Sequence, residues 1–300
     1  MLSIIVPICK RYEQFIDECL FSIKNQKYQE FECLLIVDEK ISQLDKFLND
    51  QRFKIIESSK LEQSGKRNVG IQNAIGEKII FIDCDDCIDA NFLTICNSIK
   101  SDLGIFGITR DSDLFKNSER IFKETNLHFK KNQLFYDLYF KNENPFQNII
   151  LDSCCSKVFK AKILKENSIK FNEKTNCAED CLFIRDYIKF AKSISYFDNY
   201  IAYYWRKNAI STTNTLSGFY NPNFFYAHLN EHLMSINYTH FNLFNSYMFN
   251  LIQLRISKIV DMLNNNKIGR KNTYKFLIEN YGKKANVFDV IKTNKYICFF

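Results

Sequence analysis

Ile79-Ile80-Phe81-Ile82-Asp83-Cys84-Asp85-Asp86 is an apolar run that stops abruptly in three carboxylates. The apolar half reads as a buried strand. The acids at its end repel one another unless a cation or a dense hydrogen-bond network compensates. If the strand continues, alternate side chains share a side, so Asp83 and Asp85 address one ligand while Cys84 faces away. Hard carboxylate oxygens suit Mg2+ or Mn2+, ions that typically bridge to phosphates. A capped strand end with solvated acids is the plain alternative.

Upstream, the same pattern of strand then helix occurs repeatedly. Leu2 to Ile8 is apolar and interrupted by Pro7, and Tyr12, Phe15, Ile16, Cys19, Leu20 and Ile23 follow at helical spacing. Phe31 to Val37 reads as a second strand, Leu44 to Leu48 as part of a short helix and Phe53 to Ile56 as a third strand. Ser64 is placed to cap a helix running to Gly76, a plausible C′ residue, before a fourth strand from Lys78 to Ile82. Strands alternating with helices predict an α/β fold with a mostly parallel, Rossmann-like sheet flanked by helices. Ligands bind such sheets at the carboxyl ends of the strands. Three of these ends carry polar groups: Cys9-Lys10-Arg11, Asp38-Glu39 and Asp83 to Asp86.

Beyond residue 100 the pattern loosens. Asp102 to Thr109, Ser156 to Phe159 and Ile194 to Trp205 read as strands, and Gln133 to Phe140 and Glu179 to Ala191 as helices. From about Asn221 the periodicity is helical, which sets a boundary near residue 217 and predicts a catalytic unit over 1–217 with a helical extension over 218–300. The whole net charge of +7 lies in residues 255–300, which hold ten Lys/Arg against three acids. A basic, aromatic-containing tail suits an anionic membrane surface; a solvated helical face or a homo-oligomer contact are the other expectations. No nucleic-acid partner is expected.

The first residues lack a basic n-region before a long apolar stretch, so they read as a strand rather than a signal peptide. No run approaches the ~20 apolar residues of a spanning helix. A cytoplasmic chain, peripheral at the inner face of the membrane, is expected, with its eleven cysteines as thiols. Cys84-x-x-Cys87 and Cys177-x-x-x-Cys181 invite a zinc reading, but the acids inside both brackets are poor company for thiolates. The four histidines show no metalloprotease spacing, and neither a phosphate-cradling P-loop nor Gly-x-Gly-x-x-Gly is present. Kinases, P-loop enzymes and dehydrogenases drop out.

Several stretches together carry a specific resemblance. Ser3 to Ile8, Cys19 to Gln26, Phe31 to Asp38, Lys66-Arg67-Asn68-Val69-Gly70, Ala74-x-Gly76-Glu77 and Phe81 to Asp86, in this order, resemble the family 2 glycosyltransferases and their GT-A fold. The resemblance is close over the first hundred residues and thinner to about Thr213. It implies that Pro7 and Ile8, with Asp38 or Glu39, line the uracil and ribose pocket and that Arg67 positions the nucleotide. It also implies that Asp83, with Cys84 beside it, approaches the ribose and that Asp85 ligates the metal. Cys177-Ala178-Glu179-Asp180-Cys181 looks like the family's Glu-Asp motif, which makes Glu179 and Asp180 the catalytic pair and Asp180 the general base. Trp205-Arg206 with Ser211 resembles a late segment near the diphosphate.

What the resemblance implies is an inverting, Mn2+- or Mg2+-dependent transfer of a sugar from a UDP-sugar to a hydroxyl of a glycan or lipid-linked glycan. Bacterial surface polysaccharide or lipooligosaccharide synthesis is the expected setting. One departure bears on the nucleotide: where the family commonly has Asp-Asp-Gly-Ser, this chain has Asp38-Glu39-Lys40-Ile41. A sugar nucleotidyltransferase is the first alternative, although Cys9-Lys10-Arg11-Tyr12 lacks the glycine-rich loop such enzymes carry after the first strand. A catalytically inactive binding scaffold is the second, and retention of Asp83, Asp85, Glu179 and Asp180 argues against it.

Overall fold

The computed structural model describes residues 1–59, 61–117, 125–127, 153–173 and 179–208. The expected helix over 133–140, the boundary near 217 and the extension over 218–300 lie outside them.

Strand β1 (Leu2–Pro7) and strand β2 (Phe31–Val37) are buried at every position. Continuous burial is what a central parallel strand covered on both faces requires, and it explains why these stretches are uninterrupted apolar runs. β1 pairs in parallel with β2, from Leu2 opposite Phe31 to Pro7 opposite Ile36, and on its other side with β4 (Lys78–Phe81). β3 (Phe53–Glu57) extends the sheet beyond β2. Further along the chain come β5 (Cys87–Ile88), β6 (Leu103–Thr109), β7 (Thr125–Leu127), β8 (Lys157–Lys160) and β9 (Ile194–Tyr204). The sheet order is β3-β2-β1-β4-β8-β6-β9-β5, with β7 paired to β9. β8 runs against both β4 and β6, and β6 is parallel to β9. Six strands, β1 to β4, β6 and β9, therefore share one direction, and their carboxyl ends meet at one edge.

The first helix, α1 (Glu13–Lys24), buries Ile16, Cys19, Leu20 and Ile23 and is entered through a 3-10 turn at Lys10–Tyr12. α2 (Gln63–Asn73) differs from expectation at both ends. Its N-cap is Glu62, without a side-chain cap bond, and Ser64 is buried inside the first turn. It ends at Asn73, and Gly76 is not a left-handed C′ residue, since no described glycine has positive φ. Gly76 instead backs onto β1: a Cβ there would lie 2.6 Å from the Ser3 amide nitrogen.

α3 (Phe92–Ser98), α4 (Ser112–Asn117), α5 (Ala161–Glu166) and α6 (Glu179–Ile188) complete the described helices. α6 is fixed by aromatic packing. Phe171 and Phe183 stack with centroids 3.9 Å apart, and Phe81 meets them edge-on at 5.2 and 5.5 Å. Phe159 of β8 closes the cluster, 5.4 Å from Phe183. The end of β4, where the acids begin, is thereby packed against the helix that opens with Glu179. No helix among the described residues is long and apolar enough to cross a membrane.

Candidate active site

β4 ends at Phe81, so Asp83 to Asp86 occupy a tight turn rather than a continued strand. The Asp86 amide donates to the Asp83 carbonyl at 3.0 Å. Strand alternation is therefore not what orients these acids, and each is held by its own partners. Cys84 is buried, as expected for a residue facing the core. Asp86 is also buried: its Oδ2 accepts from the Tyr203 hydroxyl at 2.7 Å and its Oδ1 from the Arg206 amide at 2.9 Å. Burial, then the charges of Asp83 and Asp85, push its pKa up. The Tyr203 hydroxyl also accepts from the Asp83 amide at 3.1 Å, which ties both ends of the turn to β9.

Arg67, from α2, is the centre of the site. Its side chain is only 2% exposed, yet it carries a full charge. Nη2 donates to Asp83 Oδ1 at 2.8 Å, Nη1 donates to Asp180 Oδ1 at 2.6 Å, and Glu179 Oε1 lies 3.8 Å from Nη1. The guanidinium also lies over Phe171, 5.1 Å from its centroid. Asp180 Oδ2 accepts from the Cys154 amide at 3.1 Å, and Asp83 Oδ1 takes a second donor from Gln63 at 2.7 Å. Acids separated by about a hundred residues thus share one counter-ion, so Asp83 and Asp180 face the same cleft. Arg67 is a strut between carboxylates, and among the described residues its Nε has no hydrogen-bond partner.

Beside this strut, burial and the charge of Asp180 raise Glu179 to about 7. Its folded value lies above its ordinary 4.5, so the folded protein keeps a proton that the unfolded chain releases. Stability from this group is complete below the ordinary value and is lost as pH rises through about 7. Glu179→Gln should flatten that part of the stability profile, measured by thermal unfolding at about pH 5 and about pH 8. An unchanged slope would show that Glu179 is not the group responsible.

The other expected donor contacts form a separate cluster. Buried Lys66 pairs with Asp38 Oδ1 at 2.8 Å and donates to the Ile8 carbonyl at 2.7 Å. It thus joins the ends of β1, just past Pro7, and β2. Glu39 is exposed and pairs with Lys10 at 3.1 Å. Arg206 packs over Phe15 and reaches Glu18 Oε2 at 2.5 Å and the Asp85 carbonyl at 2.8 Å. Its side chain therefore supports the acidic turn from below α1. Ser211 and Cys177 lie outside the described residues.

Asp85 is the member of the turn suited to a cation. Burial first, then the neighbouring Asp83, push its pKa up to about 6. Its Oδ2 accepts from the Asn208 amide, and among the described residues no ammonium or guanidinium pairs with its carboxylate. No set of three or more protein ligands that could hold a metal forms among the described residues. A hard cation held by one carboxylate and completed by phosphate oxygens fits that donor set, as Mg2+ sites commonly do. Among the described residues, Cys84 and Cys87 join no set of three or more side chains that could hold a metal.

Gln63, Lys66, Tyr203, Asn208 and the Cys154 amide were not anticipated from sequence. Lys66 adjoins Arg67 in a stretch already singled out, but nothing in the sequence reveals that its ammonium spans two strand ends.

The comparisons with known proteins bear on the family and the fold. The family model described as "Glycosyl transferase family 2" matches residues 3–167, more than half of the chain. The teichoic acid poly(glycerol phosphate) polymerase of Staphylococcus epidermidis is 24% identical over 221 residues, which cover 68% of this chain and 28% of the polymerase. The poly(ribitol-phosphate) beta-glucosyltransferase of Bacillus spizizenii is 29% identical over 216 residues, 68% of this chain and 32% of that protein. The chain therefore spans about a third of the length of these two relatives. A Staphylococcus aureus TarS structure in complex with UDP-GlcNAc matches with a TM-score of 0.62 at 24% identity, covering 78% of this chain and 66% of that one. At that identity the likeness speaks for the fold, which is GT-A.

Proposed function

The chain belongs to glycosyl transferase family 2, and we propose that it moves a sugar from a UDP-sugar to a hydroxyl of a bacterial surface glycan. Asp180 is the general base, and Asp85 holds a divalent cation against the donor diphosphate. The observation that carries this proposal is the guanidinium of Arg67 between Asp83 and Asp180, which sets a donor-side acid and the base in one cleft. The TarS structure that shares the fold is a complex with UDP-GlcNAc, which makes N-acetylglucosamine the first sugar to try.

Asp180 is built to receive a proton. Arg67 and the Cys154 amide each use one lone pair on a different oxygen, and each oxygen keeps a second. An acceptor hydroxyl attacks the anomeric carbon as its proton passes to Asp180. The bond from that carbon to the diphosphate oxygen breaks, and the leaving group keeps the electron pair. When bound, the cation supplies Lewis-acid stabilisation of the departing diphosphate. Lys66, Asp38 and the Ile8 carbonyl form the rim against which the nucleoside rests. Inversion accords with the beta linkage in the name of the Bacillus spizizenii relative.

Incubation with Mn2+ and a panel of UDP-sugars should give slow UDP release with one preferred sugar. Absence of both UDP release and UDP binding across the panel would leave a binding scaffold as the better reading. Asp85→Asn should lower turnover by roughly 100-fold or more, the several kcal/mol a metal contributes to the leaving group. Donor binding by this variant should also become insensitive to EDTA, which calorimetry would show. Donor affinity that still depends on the cation in Asp85→Asn would remove Asp85 from the metal.

A further inference from the structure

Arg110 follows the last residue of β6 and so lies at the same sheet edge as the acidic turn. Its guanidinium carbon sits 3.4 Å from the centroid of the Trp205 ring, and the Trp205 amide donates to the Thr109 carbonyl at 2.8 Å. A guanidinium laid flat on an aromatic ring keeps its N–H donors in its own plane, directed outward from the edge.

The charge of Asp86 acts on it, but no ion pair forms with Asp86 or with the adjacent Asp111. Asp111 Oδ1 accepts from the amides of Asp113 and Leu114 at 2.9 and 3.0 Å and so caps α4. Asp86 accepts from the Tyr203 hydroxyl and the Arg206 amide. Among the described residues Arg110 has an aromatic partner and no carboxylate partner. This contrasts with Arg52, Arg67 and Arg206, each of which holds a carboxylate. Beside the stack, Phe115 lies on Tyr204 with centroids 5.5 Å apart, and Lys207 is exposed. The rim thus combines aromatic faces with two cationic side chains, Arg110 and Lys207.

The stack makes none of the contacts by which Arg206 holds the acidic turn. Consecutive residues diverge after β9: Arg206 reaches Phe15, Glu18 and the Asp85 carbonyl, whereas Trp205 lies under Arg110. We propose that Arg110, held flat on Trp205, receives an oxyanion of the acceptor, so that the acceptor is an anionic glycan. The proposal rests on the transferase function above for the word acceptor, and on its own geometry for the anion. A phosphodiester in the acceptor backbone and a sugar carboxylate present the same edge-on chemistry to a guanidinium.

Binding alone tests it, with the full chain and three probes: a short glycerol phosphate oligomer, an oligomer of a uronic acid, and UDP with Mn2+. Arg110→Ala should weaken the binding of at least one anionic oligomer by about tenfold, the scale of a lost charge-assisted contact, and leave UDP affinity unchanged. Arg110→Lys keeps the charge but not the fork, so it should recover part of the loss. The more affected oligomer tells phosphodiester from carboxylate. Equal binding of both oligomers to wild type and Arg110→Ala, or binding of neither by the wild type, would overturn the proposal. A loss confined to UDP would assign Arg110 to the donor and overturn it as well. If the wild type fails to bind UDP, the transferase function falls, while the oligomer titrations still decide whether Arg110 is an anion site.

Discussion

Asp180→Asn should leave a folded protein that binds donor and releases almost no product. General-base catalysis is worth roughly 10²–10⁴-fold, so transfer should fall by that factor. The structure adds a second, smaller effect. Asp180 accepts from Arg67 on one oxygen and from the Cys154 amide on the other, whereas asparagine offers a single carbonyl oxygen. One donor is left facing an NH2 group, at a cost of about 1–3 kcal/mol. A modest fall in the unfolding midpoint should therefore accompany the kinetic loss. UDP binding, measured by calorimetry with Mn2+, should stay close to the wild-type value. Glu179→Gln is the companion measurement, because Glu179 lies beside Asp180 and is raised to about 7. If Asp180→Asn retains transfer within about tenfold of wild type while Glu179→Gln loses it, the base is Glu179.

Arg67→Met carries the other large effect, and it appears in stability before activity. The guanidinium is enclosed and balances Asp83, Asp180 and the nearby Glu179. Removing one partner of a buried ion network leaves uncompensated charge and costs about 3–5 kcal/mol. The sign with pH follows from what remains: acids without a partner are tolerated when protonated and costly when ionised. The variant should therefore lose most stability relative to wild type at neutral pH and recover part of it on acidification. Arg67→Lys should not rescue transfer, since one ammonium cannot present two divergent donors to Asp83 and Asp180. Urea unfolding across pH checks the first statement and UDP release the second. An unchanged midpoint in Arg67→Met would mean that the carboxylates do not depend on this guanidinium.

What was legible in the sequence follows from how local each signal is. β1 and β2 are buried on both faces, so their composition alone reveals them, and the apolar stripe of α1 shows directly in its spacing. β5 consists of two residues, Cys87 and Ile88, and exists because β9 pairs with it, so no window of sequence contains the cause. The ends of α2 were misplaced for a similar reason. Ser64 faces inward through tertiary packing, and Gly76 answers to the backbone of β1 rather than to the helix it follows. Within the site, residue types on strand ends were readable from chemistry. The bridge from Arg67 to Asp180 was not legible, because the two residues are 113 positions apart. Strand alternation does not orient Asp83 and Asp85, because β4 ends two residues before the first of them.

The ring stack of Phe171 on Phe183, with Phe81 and Phe159 edge-on, has a consequence for how this enzyme changes over generations. These rings are buried, and they set where the first turn of α6 stands relative to Asp83. A slightly smaller side chain in the stack would be a mild lesion by the standards of folding and a severe one for turnover. Drift in this patch should therefore be nearly as constrained as drift in the carboxylates, and a variant screen scored on activity would mistake the rings for chemistry.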